Sequence, residues 1–450
     1  MGGVAPRPPL PPGPFLIVGL ARSGRAAGRV LRALGEQVIG CDAGAVDPAV
    51  AGELEAAGVA VHGSSDGVGL LDGVGTLVKS PGVPLEAAVV RAARARGMAV
   101  IGELELGWRL VSNELIAITG SNGKTTTTEL VGQIHREAGL PVAVAGNVGT
   151  PLTSLAGALD AGAVVVCEAS SFQLEDTLAF APEAAVLINL APDHLDRHGS
   201  FDAYRDAKLR IFANQEPDAL AVVPAGLAHA GAARRIEFAS PLAAGAELAA
   251  AAPDLVVRDG RLVWRDQPFA AVDQIRLRGL HNLENAITAA AVTLARGIAP
   301  EAVRAALASF AGVAHRLEEV ARVDGVLYVD DSKATNVAAA VAGIRSFAGG
   351  VHALLGGRGK GEEYAPLAAA VRERCRAAYL IGEESARLQA ALATAGVALH
   401  ECGDLERAIA AARAAARPGD VVLLSPACAS YDQYSSFEQR GDHFKALVRS

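Results

Sequence analysis

Short apolar runs alternate with alanine-rich helical stretches along the chain from Phe15 onward. The first series of apolar runs comprises FLIVGL, QVIGCD and GTLVKSPG, and the stretch ARSGRAAGRVLRALG separates the first two of them. Alternation of strand-like and helical segments is typical of a parallel sheet with crossover helices. The hydrophobic pattern therefore predicts an α/β fold.

Two further series of the same kind follow. The second contains LIAITG, VAVAGN, AVVVCEAS and AAVLINLAP and ends in the helical stretch HNLENAITAAAVTLARG. The third contains GVLYVDDS, VHALLGG, AAYLIGE and DVVLLSPA. A chain of 450 residues is also too long for a single core. We therefore predict three α/β domains, at residues 1–112, 113–312 and 313–450.

Two segments are expected to differ from this pattern. Residues 1–14 are interrupted by prolines where a signal peptide needs a continuous apolar stretch, so we expect a loose tail. The alanine-rich stretch 243–254 is interpreted as a surface loop or helix without a functional role.

Composition and charge exclude several classes of protein. The chain is 51% hydrophobic and 20% charged, and no apolar stretch reaches membrane-spanning length, so we expect a cytoplasmic, non-membrane protein. A net charge of −8 without a basic block argues against a nucleic-acid partner. Five scattered cysteines without CxxC spacing argue against a disulfide framework or a zinc knuckle.

The stretch GSNGKTTTT, residues 120–128, follows a predicted strand and opens a predicted helix. In that context glycines let backbone N–H groups face phosphates, Lys124 can reach the terminal phosphates, and Thr125 can hold Mg²⁺. The general pattern GxxxxGK[ST] has glycine where this chain has Ile118. The alternative is a tight strand-to-helix turn of small polar residues. The position of Gly-Lys-Thr at the joint favours nucleotide binding.

An acid is needed at the end of a neighbouring strand to help hold the metal. Glu168 directly follows the apolar run AVVVC, at the edge where a parallel sheet places its ligands. A carboxylate is also favourable at a helix N-terminus for purely electrostatic reasons, which is the alternative interpretation.

The stretch from residue 189 to residue 212 concentrates histidines, carboxylates and a lysine. His194 and His198 have the spacing of a zinc site, but no third ligand is evident, and Gly199 and Ser200 interrupt the helix. The chain has only six lysines among 41 basic residues. Arginine would serve a surface role as well as Lys208 does, so a retained lysine indicates amine or metal-linked chemistry.

These motifs resemble those of the Mur ligase family, which is ATP-dependent and builds the peptide of bacterial cell-wall precursors. The similar segments are TGSNGKTT, CEASSFQLE, DHLDRHGSFDAYRDAKLRIF, GLHNLENAITAAA, AHRLEEV and DDSKATN. Within the family, SSFQLE, DSKATN, LLGGRGKG and LSPACASYDQYSSFEQRG are similar to the branch that adds D-glutamate. The resemblance covers nearly the full chain. The family's loop, TGxNGKT, also accounts for Ile118.

The resemblance implies an N-terminal Rossmann-like domain for the UDP-substrate, a central P-loop ATPase-type domain for ATP, and a C-terminal Rossmann-like domain for the amino acid. It implies that D-glutamate is added to UDP-N-acetylmuramoyl-L-alanine through an acyl phosphate, in peptidoglycan precursor synthesis. We expect small-molecule substrates only and a monomer. Two alternatives stay open: another Mur-type ligase, either L-alanine-adding or folylpolyglutamate-like, and a non-catalytic nucleotide-binding regulator.

The resemblance also assigns residues to the metals and to ATP. Thr125 and Glu168 would hold a first Mg²⁺, and His194 would contact a second together with a carbamylated Lys208. Only an amine that loses its proton accepts CO₂, so arginine could not replace this lysine. Lys124 completes the catalytic set. The residues implied for ATP are Gly120, Ser121, Asn122, Gly123, Lys124, Thr125, Thr126, Asn282, Asn285, Arg316 and Asp331.

The remaining implied residues belong to the two other substrates. GLARSG follows a strand, but Ala21 replaces the middle glycine of GxGxxG, so it suits a UDP group better than a dinucleotide. The residues implied for the UDP-substrate are Leu20, Ala21, Arg22, Ser23, Asp42, Ser80, Gly82 and Asn147. Those implied for D-glutamate are Lys333, Thr335, Lys360, Ser430 and Phe437, which offer cations and hydroxyls for two carboxylates and a ring beside the ligand.

Overall fold

A computed structural model describes Val4 and residues 6–227, 231–242 and 252–450. Its described residues form three sheets, of five, nine and six strands, with helices between the strands. The predicted α/β class is confirmed. Most of the alanine-rich stretch 243–254 lies outside the described residues.

The first sheet is entirely parallel, with strand order β3-β2-β1-β4-β5. Its strands are β1 Phe15–Val18, β2 Val38–Cys41, β3 Ala60–His62, β4 Thr76–Lys79 and β5 Ala99–Gly102. Its helices are α1 Arg22–Ala33, α2 Pro48–Ala56, α3 Ala88–Ala95 and α4 Glu103–Leu110.

The second sheet has the order β14-β13-β12-β11-β10-β9-β6-β8-β7 and is parallel except for the antiparallel pairs that β13 makes with β12 and β14. Its strands are β6 Leu115–Thr119, β7 Val142–Gly146, β8 Val164–Glu168, β9 Ala184–Leu187, β10 Leu220–Pro224, β11 Arg234–Phe238, β12 Leu255–Arg258, β13 Arg261–Trp264 and β14 Gln267–Ala271. The helices of this part of the chain are α5 Lys124–Glu137, α6 Ser171–Leu174, α7 Leu195–His198, α8 Phe201–Leu209, α9 Leu280–Ala295 and α10 Pro300–Ser309.

The third sheet has the order β15-β16-β20-β17-β18-β19, and only the β15–β16 pair is antiparallel. Its strands are β15 Glu318–Val323, β16 Val326–Asp330, β17 Val351–Gly356, β18 Cys375–Ile381, β19 Ala398–Gly403 and β20 Val421–Leu424. Its helices are α11 Val337–Arg345, α12 Ala365–Arg374, α13 Ser385–Leu392, α14 Leu405–Ala415 and α15 Phe437–Arg449.

The contacts divide the chain into two compact units. The first comprises Met1–Gln274 and Glu284–Ala308 and contains the first two sheets. The second comprises Ile275–Leu283 and Ser309–Ser450 and contains the third. The predicted boundaries at residues 112 and 312 stay predictions.

Strands buried on both faces explain the continuous apolar runs. In β1, Phe15 and Ile17 pack into one hydrophobic cluster while Leu16 and Val18 pack into another, on the opposite face. Parallel strands covered by helices on both sides lack polar alternation for this reason. The sequence pattern did not predict β3 and β19, which are edge strands with largely exposed side chains.

The prediction of a loose tail was wrong for the described part of residues 1–14. The Arg7 side chain is only 6% exposed and forms an ion pair of 2.8 Å with Glu183. Its guanidinium also donates to the Asn113 carbonyl at 2.9 Å and lies 4.9 Å from the centre of the Trp108 ring. An arginine that satisfies a carboxylate and a carbonyl at once anchors a segment whose own composition favours disorder.

No helix among the described residues combines the length and apolarity needed to cross a bilayer.

We expect Arg7→Met to lower the free energy of unfolding by about 1–3 kcal/mol, because the Glu183 carboxylate loses its charged partner in a largely buried place. Urea denaturation measures the change. Arg96→Met is the matched control, because its ion pair with Asp72 is exposed on both sides and should contribute less than about 1 kcal/mol. Equal losses in the two variants would contradict the anchoring role.

Candidate active site

The loop between β6 and α5 has the geometry of a phosphate site. Gly123 precedes α5 with φ +81°, and a Cβ built there would lie 1.9 Å from the Asn285 side-chain oxygen. A side chain at this position would be strained by the backbone angle and would have to displace the Asn285 side chain, so both features favour glycine. The Lys124 Nζ donates to the carbonyls of Gly120 at 2.9 Å and Ser121 at 3.0 Å, which holds its ammonium over the loop. The helix N-terminus adds positive potential at the same place.

Two oxygen donors for a hard cation meet beside this loop. β6 and β8 are adjacent and parallel, so their carboxyl ends share one edge of the sheet. There the Thr125 hydroxyl donates to the buried Glu168 carboxylate at 2.8 Å. Hydroxyl and carboxylate oxygens are the ligands that Mg²⁺ prefers, so the donor set fits this ion. The Asn147 amide donates to the other Glu168 oxygen at 3.0 Å, so this residue, predicted for the UDP-substrate, also supports the carboxylate.

Lys208 lies in α8, with its residue only 1% exposed. Its amine donates to the Gly120 carbonyl at 2.8 Å and lies 4.6 Å from the centre of the Tyr204 ring. Burial, followed by the nearby charge of Lys124, lowers the pKa of Lys208 from 10.5 to about 7. A considerable share of this amine is therefore unprotonated near neutral pH, as CO₂ addition requires.

The two histidines of this stretch are used differently. His194 adopts φ +50° just before α7, and its half-exposed side chain pairs with Asp193 at 3.5 Å. Among the described residues it makes no hydrogen bond or ion pair with Glu168 or Lys208, so its role at a metal stays a prediction. His198 instead pairs with Glu175 through Nδ1 at 2.9 Å and contacts the Ser171 hydroxyl through Nε2 at 3.1 Å, so both of its ring nitrogens have protein partners, which does not match a zinc ligand.

Around the first sheet, three predicted UDP-substrate residues meet at the ends of β1, β2 and β4. Asp42 accepts the Leu20 N–H at 2.9 Å, and the Ser80 hydroxyl donates to the Gly19 carbonyl at 2.7 Å. Arg22 donates to the Gly149 carbonyl at 3.0 Å. Of the other residues predicted here, Ala21 and Gly82 are exposed and Ser23 is half-buried.

The second unit contains the predicted D-glutamate residues and several predicted ATP contacts. The Lys333 ammonium lies 3.7 Å from the centre of the Phe437 ring, which brings these two residues together. Thr335 donates its N–H to the Lys333 carbonyl at 2.8 Å. Ser430 is buried, whereas Lys360 is exposed.

The predicted ATP contacts are divided between the units. Asp331 accepts the Ser425 hydroxyl at 2.7 Å, and burial raises its pKa to about 7. Arg316 is half-buried in the same unit, and Asn282 donates to the Arg278 carbonyl at 2.8 Å. Asn285 belongs to the first unit, where it accepts the Thr127 hydroxyl at 3.3 Å.

Several residues of the site were not predicted. The Tyr204 hydroxyl donates to Ser121 at 3.0 Å, and its position four residues before Lys208 on one helix was the available signal. Asn189 accepts the Asn122 N–H at 3.0 Å, and its place just after β9 obeys the same strand-end rule as Glu168. In the second unit, the buried Arg440 guanidinium donates to the carbonyls of Ser332 at 2.9 Å and Cys428 at 3.2 Å. No sequence pattern distinguished this arginine from its neighbours in the same motif.

Comparison with known proteins identifies the family of the chain. The profile of the Mur ligase middle domain matches residues 118–293, and that of the Mur ligase glutamate ligase domain matches residues 315–428. The chain is 41% identical to the UDP-N-acetylmuramoylalanine–D-glutamate ligase of Pelotomaculum thermopropionicum, with 97% of both chains covered. It is 42% identical to the ligase of the same name from Myxococcus xanthus, with 97% of this chain and 98% of that one covered.

Solved structures of two relatives share the fold. The UDP-N-acetylmuramate-alanine ligase MurC of Thermotoga maritima aligns with a TM-score of 0.59 at 16% identity, covering 97% of this chain and 99% of that one. The MurF ligase of Thermotoga maritima in complex with ADP aligns with a TM-score of 0.58 at 16% identity, covering 91% and 95%. With two matching domain profiles and full-length relatives above 40% identity, the chain belongs to the Mur ligase family.

Proposed function

We propose that the protein is an ATP-dependent ligase that joins D-glutamate to UDP-N-acetylmuramoyl-L-alanine, with ADP and phosphate as the other products. The observation that carries this proposal is the buried Lys208 amine, which shares the Gly120 carbonyl with Lys124 beside the Thr125–Glu168 pair. Such a site brings cations and hard oxygen ligands to a phosphate loop. The relatives named as D-glutamate ligases support the choice of substrates.

The first step is transfer of the γ-phosphoryl group to the free carboxylate of the L-alanyl substrate, which gives an acyl phosphate. A carboxylate is a poor electrophile, so activation must precede amide formation. Lys124 and the N-terminus of α5 would neutralise the charge that shifts between the phosphoryl oxygens. Bound Mg²⁺ would supply Lewis-acid stabilisation to the same oxygens. Thr125 and Glu168 are the residues that would hold the first ion.

Lys208 would contribute as a carbamate. Its neutral amine adds to CO₂, a C–N bond forms, and the proton is released to solvent, which leaves a carboxylate on the side chain. The new oxygens and His194 would hold a second Mg²⁺. The lowered pKa of Lys208 supports this role, because an amine at pKa 10.5 would be almost fully protonated at neutral pH.

In the second step the amine of D-glutamate attacks the acyl carbon, and phosphate leaves. Lys333, Lys360, Thr335 and Ser430 would pair with the two carboxylates, and Phe437 would lie against the ligand. We further propose that residues 1–112 bind the UDP-substrate in a Rossmann-like domain, that residues 113–312 form a P-loop ATPase-type domain, and that residues 313–450 form a Rossmann-like domain. We expect the protein to act as a cytoplasmic monomer.

Phosphate release with UDP-N-acetylmuramoyl-L-alanine and ATP tests the function directly. We expect release to depend on D-glutamate, with L-glutamate and L-alanine as inactive controls. Release that follows L-alanine would indicate a different member of the family, and ATP binding without any release would indicate a non-catalytic regulator.

The Lys208 amine should form its carbamate as the pH passes through about 7, because the neutral form becomes the major one above that value. At a fixed partial pressure of ¹³CO₂, we expect a protein-bound carbamate NMR signal that grows between pH 6 and pH 8. Lys208→Ala is the control: it should lack the signal and lose most activity, and short carboxylic acids should restore part of that activity. A signal unchanged in Lys208→Ala would assign the carbamate elsewhere.

Gly123→Ala should weaken ATP binding at least tenfold, because the new methyl group meets Asn285 and the positive φ disfavours alanine. Gly139→Ala is the matched control, since Gly139 also has a positive φ, of +69°, but no atom lies within 4 Å of its added Cβ. Titration calorimetry with ATP compares the two, and circular dichroism verifies folding. Similar affinity in the two variants would contradict the close fit of the loop.

A further inference from the structure

Two cations hold the turn between β4 and α3, at residues 80–83. Lys79, the last residue of β4, donates its ammonium to the Val83 carbonyl at 2.8 Å and to the Ser80 carbonyl at 3.4 Å. Arg197 donates to the Pro81 carbonyl at 2.9 Å and to the Val83 carbonyl at 3.2 Å. Three of the four carbonyls in this 80–83 turn therefore accept hydrogen bonds from side chains. These side chains fix the backbone conformation of the turn.

The Lys79 ammonium is also paired with Asp176, which follows α6. The two charged atoms lie 2.7 Å apart, and the side chains are 0% and 1% exposed. Three oxygens thus surround the ammonium: the two turn carbonyls accept hydrogen bonds from it, and one Asp176 carboxylate oxygen forms an ion pair with it. The compact head of a lysine matches three converging acceptors, whereas the planar fork of an arginine does not.

Arg197 connects the same turn to the segment that begins with His194. It lies in α7, with its guanidinium 4.1 Å from the centre of the Phe172 ring and 3.8 Å from Glu175. Glu175 also pairs with His198 at 2.9 Å. Phe172 and Glu175 lie in and directly after α6, which follows β8 and its terminal Glu168.

Stability alone does not account for this cluster. A buried ion pair contributes little net stability, because the attraction between its charges is offset by their loss of water, and an apolar pair of similar volume is often as stable. The cluster instead gives the 80–83 turn one defined position relative to α6 and α7. The Ser80 hydroxyl connects the 80–83 turn to the GLARSG turn, because it donates a hydrogen bond of 2.7 Å to the Gly19 carbonyl.

We propose that Lys79 and Arg197 are positioning residues for the UDP-substrate. They hold the 80–83 turn in register with α6 and α7, so that one substrate molecule can reach Ser80 with its nucleotide end and the Glu168 edge with its carboxylate. This inference rests on the proposed function, because it takes the UDP-substrate as the ligand of the turn. Neither residue touches the reacting atoms, and their effect is on the binding of one substrate only.

The double variant Lys79→Met, Asp176→Leu tests the proposal, since it replaces the ion pair by apolar side chains of similar size. We expect KM for UDP-N-acetylmuramoyl-L-alanine to rise about tenfold, while KM for ATP stays within about twofold of the wild-type value. Lys79→Arg keeps the charge but not the three-acceptor geometry, so its KM should lie between those of the wild type and the double variant. Full restoration of the wild-type KM by Lys79→Arg would reduce the role of Lys79 to charge pairing and contradict positioning.

Arg7→Met is the control for loss of a buried cation. The partners of Arg7 are Glu183 and the carbonyls of Val111 and Asn113, so among the described residues this cation makes no hydrogen bond or ion pair with the 80–83 turn. The variant should leave both KM values unchanged. If the double variant does not fold, Arg197→Met is the second test, because it removes the hydrogen bonds to the Pro81 and Val83 carbonyls. It should raise KM for the UDP-substrate alone.

The outcomes separate this inference from the proposed function. A wild-type enzyme that does not turn over UDP-N-acetylmuramoyl-L-alanine would overturn the function. An active wild type whose KM for that substrate is unchanged in the folded double variant, or in Arg197→Met, would overturn the positioning role while leaving the function intact. An equal rise in both KM values would indicate a general structural role instead.

Discussion

Two lysine amines share one carbonyl oxygen at the centre of the first unit. Lys124 and Lys208 both donate to Gly120, at 2.9 and 2.8 Å; Lys208 is buried, whereas Lys124 is partly exposed. Burial deprives the Lys208 ammonium of water, and the nearby Lys124 charge repels it, so both effects favour loss of its proton. The lowered pKa of Lys208 is the result. A site of this kind is stabilised by added anions, and a phosphate group and a carbamate would both supply negative charge.

Parallel strand ends determine which groups can join these lysines. Because β6, β8 and β9 are neighbours, the Thr125 hydroxyl, the Glu168 carboxylate and the Asn189 side chain gather at one edge. The same principle operates in the first sheet, where β1, β2 and β4 bring Leu20, Asp42 and Ser80 together. The Lys79–Asp176 pair connects these two edges through the 80–83 turn. One buried charge pair therefore relates the 80–83 turn to the segment that follows Glu168.

The most reliable sequence predictions were those with a local physical cause. Strands buried on both faces, such as β1 and β6, are continuous apolar runs and were predicted, whereas the edge strands β3 and β19 expose side chains and were not. The joint between β6 and α5 lies where the sequence placed it, because Gly123 and Lys124 constrain the backbone locally, and their role as a phosphate loop stays a prediction. The tail was predicted wrongly, since its order depends on Glu183, a residue 176 positions away.

The sequence by itself determined the residue types at the site and the elements that carry them, because loop and helix preferences act over a few residues. It also indicated that Lys208 has a special role, through the scarcity of lysine in a chain that otherwise uses arginine. Only the tertiary structure decided that the Lys208 amine is buried beside Lys124, where it contacts the carbonyl of Gly120, 88 positions away in sequence. Only the tertiary structure likewise encloses Lys79 between Asp176 and the 80–83 turn. Desolvation and a nearby charge lower the pKa of Lys208, and a buried ion pair positions the 80–83 turn. Both effects arise from packing between segments that are distant in sequence, which no local pattern encodes.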